Sequence, residues 1–294
     1  MYELIQAGER TYYINCPAKM GVYLLNDKDV YLIDSGNDKD AGRKADKILN
    51  ANNWNLAGII NTHANADHIG GNNLLQKRTG CRVISTEIQN IITKYPILEP
   101  TFLYGGYPCK ELRNKFLMAA PSEPTDKIED FLPEGLEYLP LGGHFFDMFG
   151  IKTSDEVYFI ADCVFGENII NKYHLVFIYD VAEFLLTLDK VEQLNGKLFV
   201  PAHAEAAENI KPLVQINRIK VYEIADKLLQ ICQEPISFED VLKHVFDFYD
   251  LTMDFNQYVL VGSTVRSYLS YLYDRGSMEI EFTDNKLLWR SVKS

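Results

Sequence analysis

The stretch Asn61-Thr-His-Ala-Asn-Ala-Asp-His-Ile-Gly-Gly71 constrains this chain more than any other. It places His63, Asp67 and His68 within six residues, directly behind the apolar run Leu56-Ala-Gly-Ile-Ile60. That run is short and β-branched at its end, so it reads as a buried strand. Gly70-Gly71 and the run to Lys77 read as a turn feeding a helix. A strand end holds the backbone rigidly and the loop beyond it lets several side chains converge, which is what a metal site requires. Two imidazoles and a carboxylate suit zinc, and also iron or manganese, which tolerate mixed nitrogen and oxygen ligands. One histidine on a loop is more often a surface residue or a cap than a ligand. Three ligand-type residues in this order, with partners downstream, carry more weight.

The partners sit at other strand ends. Val157-Tyr-Phe-Ile-Ala-Asp162 is an apolar run closing on a carboxylate, and Leu198-Phe-Val-Pro-Ala-His203 repeats the design with an imidazole. Leu139-Pro-Leu-Gly-Gly-His144 is a weaker signal of the same kind. Upstream, Tyr12–Ile14, Gly21–Leu25 and Val30–Ile33 are strand-like, with a hairpin turn at Asn26–Asp29. Asp34-Ser35-Gly36 ends the third of these, and Lys39 to Leu49 has the spacing of an exposed helix. Strand-strand-strand-helix-strand-loop is consistent with one layer of a sheet sandwich. A strand at Arg82–Ser85 and a helix over Glu87–Lys94 follow. Residues 95 to 135 hold six prolines, and Phe102-Leu-Tyr-Gly-Gly-Tyr-Pro-Cys109 is aromatic and glycine-rich, the character of a segment that covers a pocket. Tyr104 and Tyr107 are candidates to line a substrate site, against the plainer reading that such aromatics pack on the core. His174, His244 and Asp147 fit no pattern, and Cys163 reads as core because neighbouring strand residues point to opposite faces.

Taken together, these motifs resemble those of the metallo-β-lactamase fold superfamily, whose signature is His-x-His-x-Asp-His. Here His63, Asp67 and His68 match, and Asn65 stands where the second histidine belongs. The resemblance implies an α/β (α+β) fold over residues 1–210, a four-layer αββα sandwich. It also implies a metal site of His63 and His144 beside a second of Asp67, His68 and His203, with Asp162 bridging and Asp67 and Asp162 serving catalysis. Asp34 matches the position that supports the metal loop, although capping the following helix is an equal reading. An amide oxygen is a poorer ligand than imidazole for zinc. Asn65 therefore reads as a weak ligand, and the expectation is one firmly held ion beside a site that is weak, empty or differently filled. The chemistry implied is hydrolysis of a small ester, thioester, amide or phosphodiester by metal-activated water. The alternative is a metal- or ligand-sensing protein whose catalysis has decayed at Asn65.

Residues 211–294 change character. Leu213 to Gln230 is helical, Ser237-Phe-Glu-Asp240 opens a second helix, Asn256 to Tyr273 forms a third, and Met278–Phe282 with Leu287–Arg290 reads as a hairpin. Three helices and a hairpin resemble a winged-helix appendage. It is a poor nucleic-acid reader: the segment carries 10 Lys and Arg against 12 Asp and Glu, and the whole chain has a formal charge of −12. Packing, pocket closure or a homodimer contact fits it better. No apolar run reaches the length of a transmembrane helix. The N-terminus lacks the basic and apolar regions of a secretory signal, and five scattered cysteines favour reduced thiols. A cytoplasmic protein acting on a small molecule is the expectation.

Overall fold

The computed structural model describes residues 2–292. Its N-terminal strands, β1 (Glu3–Gln6), β2 (Thr11–Asn15), β3 (Met20–Leu24) and β4 (Asp29–Ile33), form an antiparallel meander. The turn between β3 and β4 closes as expected, Asn26 Oδ1 accepting from the backbone N–H groups of Lys28 and Asp29 at 2.9 Å each. Helix α1 (Lys39–Ala51) is capped by Asp38, whose side chain accepts from Asp40 N and Ala41 N, and leads to β5 (Asn55–Ile60) parallel to β4. After α2 (Ala66–Ile69) and α3 (Asn72–Thr79) the chain adds β6 (Arg82–Ser85), α4 (Glu87–Lys94), α5 (Leu98–Tyr104) and β7 (Asp126–Lys127), with β5, β6 and β7 parallel in a seven-stranded sheet.

Helix α5 departs from the sequence reading, which took residues 102–109 as one covering segment. Pro100 falls in the first turn of α5, where its missing N–H breaks no helical bond. Gly105 then ends the helix in the left-handed region at φ 76°. Phe102 to Tyr104 are consequently the last turn of a helix.

The second sheet has the order β11-β10-β9-β8. Strands β8 (Leu136–Pro140), β9 (Phe149–Thr153) and β10 (Val157–Phe159) are antiparallel. A crossover through α6 (Glu167–Tyr173) and α7 (Val181–Gln193) brings β11 (Leu198–Val200) parallel to β10. The strand alternation decides the layers. In β4, Tyr31 and Ile33 face the second sheet, meeting Phe149, Ile151, Val157 and Phe159, while Val30 and Leu32 join Ala45 and Leu49 of α1 and Leu75 of α3. In β10, Tyr158 faces the other way, towards Phe184 and Leu188 of α7. The result is the α-β-β-α layering that the motifs imply.

Beyond residue 210 come α8 (Lys211–Ile231), β12 (Ile236–Ser237), α9 (Phe238–Phe248), α10 (Phe255–Asp274), β13 (Met278–Thr283) and β14 (Lys286–Ser291). The expected hairpin is β13–β14. The two-residue β12, too short to show a pattern, adds a third strand in the order β12-β14-β13. Ser237 caps α9, its Oγ accepting from Asp240 N at 3.3 Å. One apolar cluster runs from Phe199 through α7 to Val221, Val245 and Leu269, so these helices lie on the outer face of the second sheet. Among the described residues no helix is long and apolar enough to cross a membrane.

Candidate metal centre

The loop after β5 is locked before any metal is considered. A Cβ on Gly71 would lie 2.4 Å from Ser35 O, and one on Gly70 would lie 2.4 Å from the carbonyl carbon of Asn37. Only glycine lets this turn press against the segment after β4. Ser35 N and Ser35 Oγ donate to His68 O at 2.8 and 3.1 Å, and Gly71 N donates back to Ser35 Oγ at 3.1 Å.

Asp34 occupies the left-handed region at φ 62°, an uncommon conformation for a residue with a side chain. Its carboxylate accepts from Thr62 N at 2.8 Å, Thr62 Oγ1 at 2.7 Å and His68 Nδ1 at 2.8 Å. Asp34 therefore supports the metal loop, and Asp38 is the residue that caps α1. With Nδ1–H given to Asp34, His68 turns Nε2 to the interior, where loss of its proton leaves a lone pair for a ligand bond. His144 follows the same logic: Nδ1 donates to Phe177 O at 2.8 Å, leaving Nε2 free as a ligand. His203 Nδ1 donates to Pro17 O at 3.0 Å, again turning Nε2 inwards.

The six expected ligands converge. His63, His144 and Asp162 place one donor atom each within 4.8 Å of one another, and Asp67, His68 and His203 do the same. Asp162 lies between the two groups. Its Oδ1 is 3.1 Å from His68 Nε2, and its Oδ2 is 3.3 Å from His203 Nε2 and 3.6 Å from His144 Nε2. Asp67 Oδ2 is 3.1 Å from His203 Nε2. His63, His68, His144 and Asp162 are buried, whereas the Asp67 side chain is 37 % exposed and opens the cluster to solvent. Strand β10 stops at Phe159, and Asp162 is delivered by a turn with Ala161 at φ 47° rather than by the strand end itself.

Three buried atoms here make no well-formed hydrogen bond: His63 Nε2, and the pair His68 Nε2 and Asp162 Oδ1, which face each other at 3.1 Å. Orphaned buried polar atoms are rare and costly. Such atoms aimed into one space, in a set of imidazoles and carboxylates, fit a zinc, iron or manganese ion.

Electrostatics point the same way. Burial and the neighbouring His68 hold His63 well below its ordinary range, and burial also lowers His144, so both are neutral and ready to bind. Burial works against charge on His203, but Asp162 and Asp67 outweigh it and push the ring up to about 10. His68 is likewise raised, by Asp162, Asp34 and Asp67 against burial. Burial disfavours the anions of Asp162 and Asp67, yet the surrounding histidines keep both carboxyls well below the usual range. In the metal-free protein at neutral pH, His68 and His203 therefore carry protons that an entering ion must displace. Metal uptake should release protons, and affinity should rise with pH until the ring near 10 is free. Calorimetric titration with zinc in two buffers of different ionisation enthalpy reads this directly. Equal heats in both would show that the rings are already neutral.

Two other residues of the site carry no mark in the sequence. Gln89 of α4 is fully buried, accepts from Ala64 N at 2.9 Å and donates through Nε2 to Phe146 O, tying the two histidine loops together. Glu99 of α5 is 4 % exposed and accepts from Asn65 Nδ2 at 2.7 Å. Burial pushes the Glu99 carboxyl well up, against the stabilising Asn65 hydrogen bond. Tyr104 lines a cleft of about 710 Å³ between α5, the start of α7 and α10, whose walls include none of the six ligands. Tyr107 is 74 % exposed and receives a hydrogen bond from Arg113 Nη1 at 3.2 Å. Cys163 is buried in the core, and His174 stacks on Tyr249.

Residues 21–203 match the family model of the metallo-beta-lactamase superfamily. Among solved structures, a metallo-beta-lactamase family protein from Thermus thermophilus is similar over 99 % of this chain and 98 % of its own, with a TM-score of 0.69 at 14 % identity. A beta-lactamase domain protein from Burkholderia ambifaria gives a TM-score of 0.69 at 13 % identity, over 99 % of this chain and 94 % of its own. A metallo-beta-lactamase from Pontibacter korlensis covers 76 % of this chain and 99 % of its own at 15 % identity, with a TM-score of 0.57.

Proposed function

The chain belongs to the metallo-β-lactamase superfamily, and from that footing we propose that it is a metal-dependent hydrolase of a small ester, thioester, amide or phosphodiester. The observation that carries this reading is the convergence of three buried or half-buried imidazole and carboxylate donors in each of two adjoining groups, with His63 Nε2 left without a hydrogen-bond partner. A metal ion held in such a cradle supplies an acidified water and polarises a carbonyl or phosphoryl oxygen. His63, His144 and Asp162 form one holding group, and Asp67, His68 and His203 the other. Asp67, whose side chain is 37 % exposed, would accept a hydrogen bond from the attacking water and orient it. Asp34 keeps His68 in the tautomer that presents Nε2.

Support for two units, residues 1–210 and 211–294, comes from the family match ending at 203. We read the second unit as a winged-helix-like appendage that packs on the sandwich rather than one that reads nucleic acid. Free thiols at all five cysteines accord with a cytoplasmic location.

The test is turnover on a panel of generic esters, thioesters, amides and phosphodiesters, before and after chelation, with metal content measured on the same sample. Hydrolysis lost with the metal and restored by zinc, iron or manganese is the expected result. Bound metal with no turnover across the panel would instead support the sensing role.

A further inference from the structure

Asn65 is the position at which the superfamily pattern is broken, and its surroundings say what the amide does. His144 Nδ1 faces a carbonyl, Phe177 O at 2.8 Å, so it must carry the proton, and Nε2 holds a lone pair. Asn65 Oδ1 lies 3.2 Å from that Nε2. In a neutral ring two lone pairs then face each other with no proton between them, an arrangement without attraction of its own. A free amide would relieve it by rotating through half a turn and donating its NH2 to Nε2. Here the NH2 is held elsewhere, by Glu99 Oε1 at 2.7 Å, a carboxyl from α5 that is 4 % exposed and that the loop sequence does not foreshadow. Two acceptor atoms held side by side suit a cation.

We infer that Glu99 is a positioning residue that fixes the Asn65 amide with Oδ1 turned into the cluster, making Asn65 an oxygen ligand of the His63–His144–Asp162 metal site. This rests on the metal-site reading above and deepens it. The substitution at position 65 thus changes the ligand set from three imidazoles to two imidazoles and an amide oxygen beside a carboxylate. Such a set shifts preference from zinc towards harder ions such as manganese or iron(II). The second group, Asp67, His68 and His203, does not include Asn65 and keeps its ordinary affinity.

The experiment is metal titration of native protein, Glu99→Leu, Glu99→Gln and Asn65→Ala, with manganese and with cobalt followed by its visible absorption. The native chain should take up two equivalents. Glu99→Leu fills the same space but releases the amide to pair with His144, and should weaken one equivalent by roughly 10–100-fold, the range for loss of a ligand-orienting partner. Asn65→Ala should lose that equivalent too. Glu99→Gln retains an oxygen to accept from Asn65 Nδ2 and should restore most of the affinity, which a purely space-filling role would not predict. The remaining equivalent should be unchanged throughout and reports that the protein is folded. Two unaltered equivalents in Glu99→Leu would overturn the inference. A single equivalent in the native chain, unaffected by Asn65→Ala, would show that Asn65 is no ligand. No metal in any of the four would instead remove the metal-site reading itself.

Discussion

Asp162→Ala should abolish metal-dependent hydrolysis and drop bound metal below one equivalent. The two oxygens of Asp162 approach three of the histidines, His68, His144 and His203, at 3.1, 3.6 and 3.3 Å. Removing it takes a charged member from the first group and the carboxylate that contacts His68 and His203 from the second, so each should weaken by at least roughly 10–100-fold, the range for loss of an outer partner alone. It also leaves His68 and His203 without the carboxylate that holds their charge in the metal-free state. Asp162→Asn preserves shape and one oxygen but removes the charge, and should fall between. Metal content by plasma mass spectrometry and turnover on the best substrate of the panel, measured side by side, check both. Full activity in Asp162→Ala would sink the assignment of the site.

Asp34→Ala should be the second most damaging change, through a different route. Asp34 belongs to neither candidate ligand group, but three donors end on it: Thr62 N, Thr62 Oγ1 and His68 Nδ1. Each buried donor left unpaired costs about 1–3 kcal/mol, so the metal-free protein should lose several kcal/mol in urea denaturation. A β-carbon at φ 62° remains strained, and alanine lacks the local hydrogen bonding that helps an aspartate tolerate it. Asp34→Asn separates the two consequences. The amide can accept from only some of the three donors and carries no charge, so stability should fall less while metal affinity still drops by roughly 10–100-fold. If Asp34→Asn bound metal as tightly as the native chain, the orienting role would be refuted and only the structural one would stand.

The contrast between these two aspartates shows where the sequence is readable. Asp162 and His203 announce themselves because each follows an apolar run, and a strand that ends on an ionisable residue has few structural uses. Even so, the local geometry differs from the simple reading: β10 ends at Phe159, and a left-handed Ala161 makes the turn that presents Asp162. Asp34 was legible only as an alternative between cap and support. The choice lay in whether the carboxylate met the start of α1 or the loop after β5, and parallel pairing of β4 with β5 brings that loop alongside.

Gln89 and Glu99 were not legible at all. Each is a polar residue on an otherwise ordinary helix, 25 and 34 positions from its partner in the 63–65 loop. Helical spacing places a residue on a face, but only packing decides what that face meets. The expectation of a weak site at Asn65 followed from the chemistry of an amide oxygen, a poorer ligand than imidazole for zinc. In the structure the amide has a partner, and its orientation is a tertiary fact.

The sequence by itself determined the layers and which imidazoles and carboxylates the fold gathers. Alternation in β4 and β10 sorts side chains to opposite faces, and ligand-type residues at the ends of apolar runs are a local pattern carried by neighbouring residues. The tertiary structure alone decided the tautomers of His68, His144 and His203, the direction of the Asn65 amide, and the pairing of two ligand groups through Asp162. Those depend on hydrogen-bond partners that approach from distant parts of the chain, and such partners exist only once the two sheets have closed on each other.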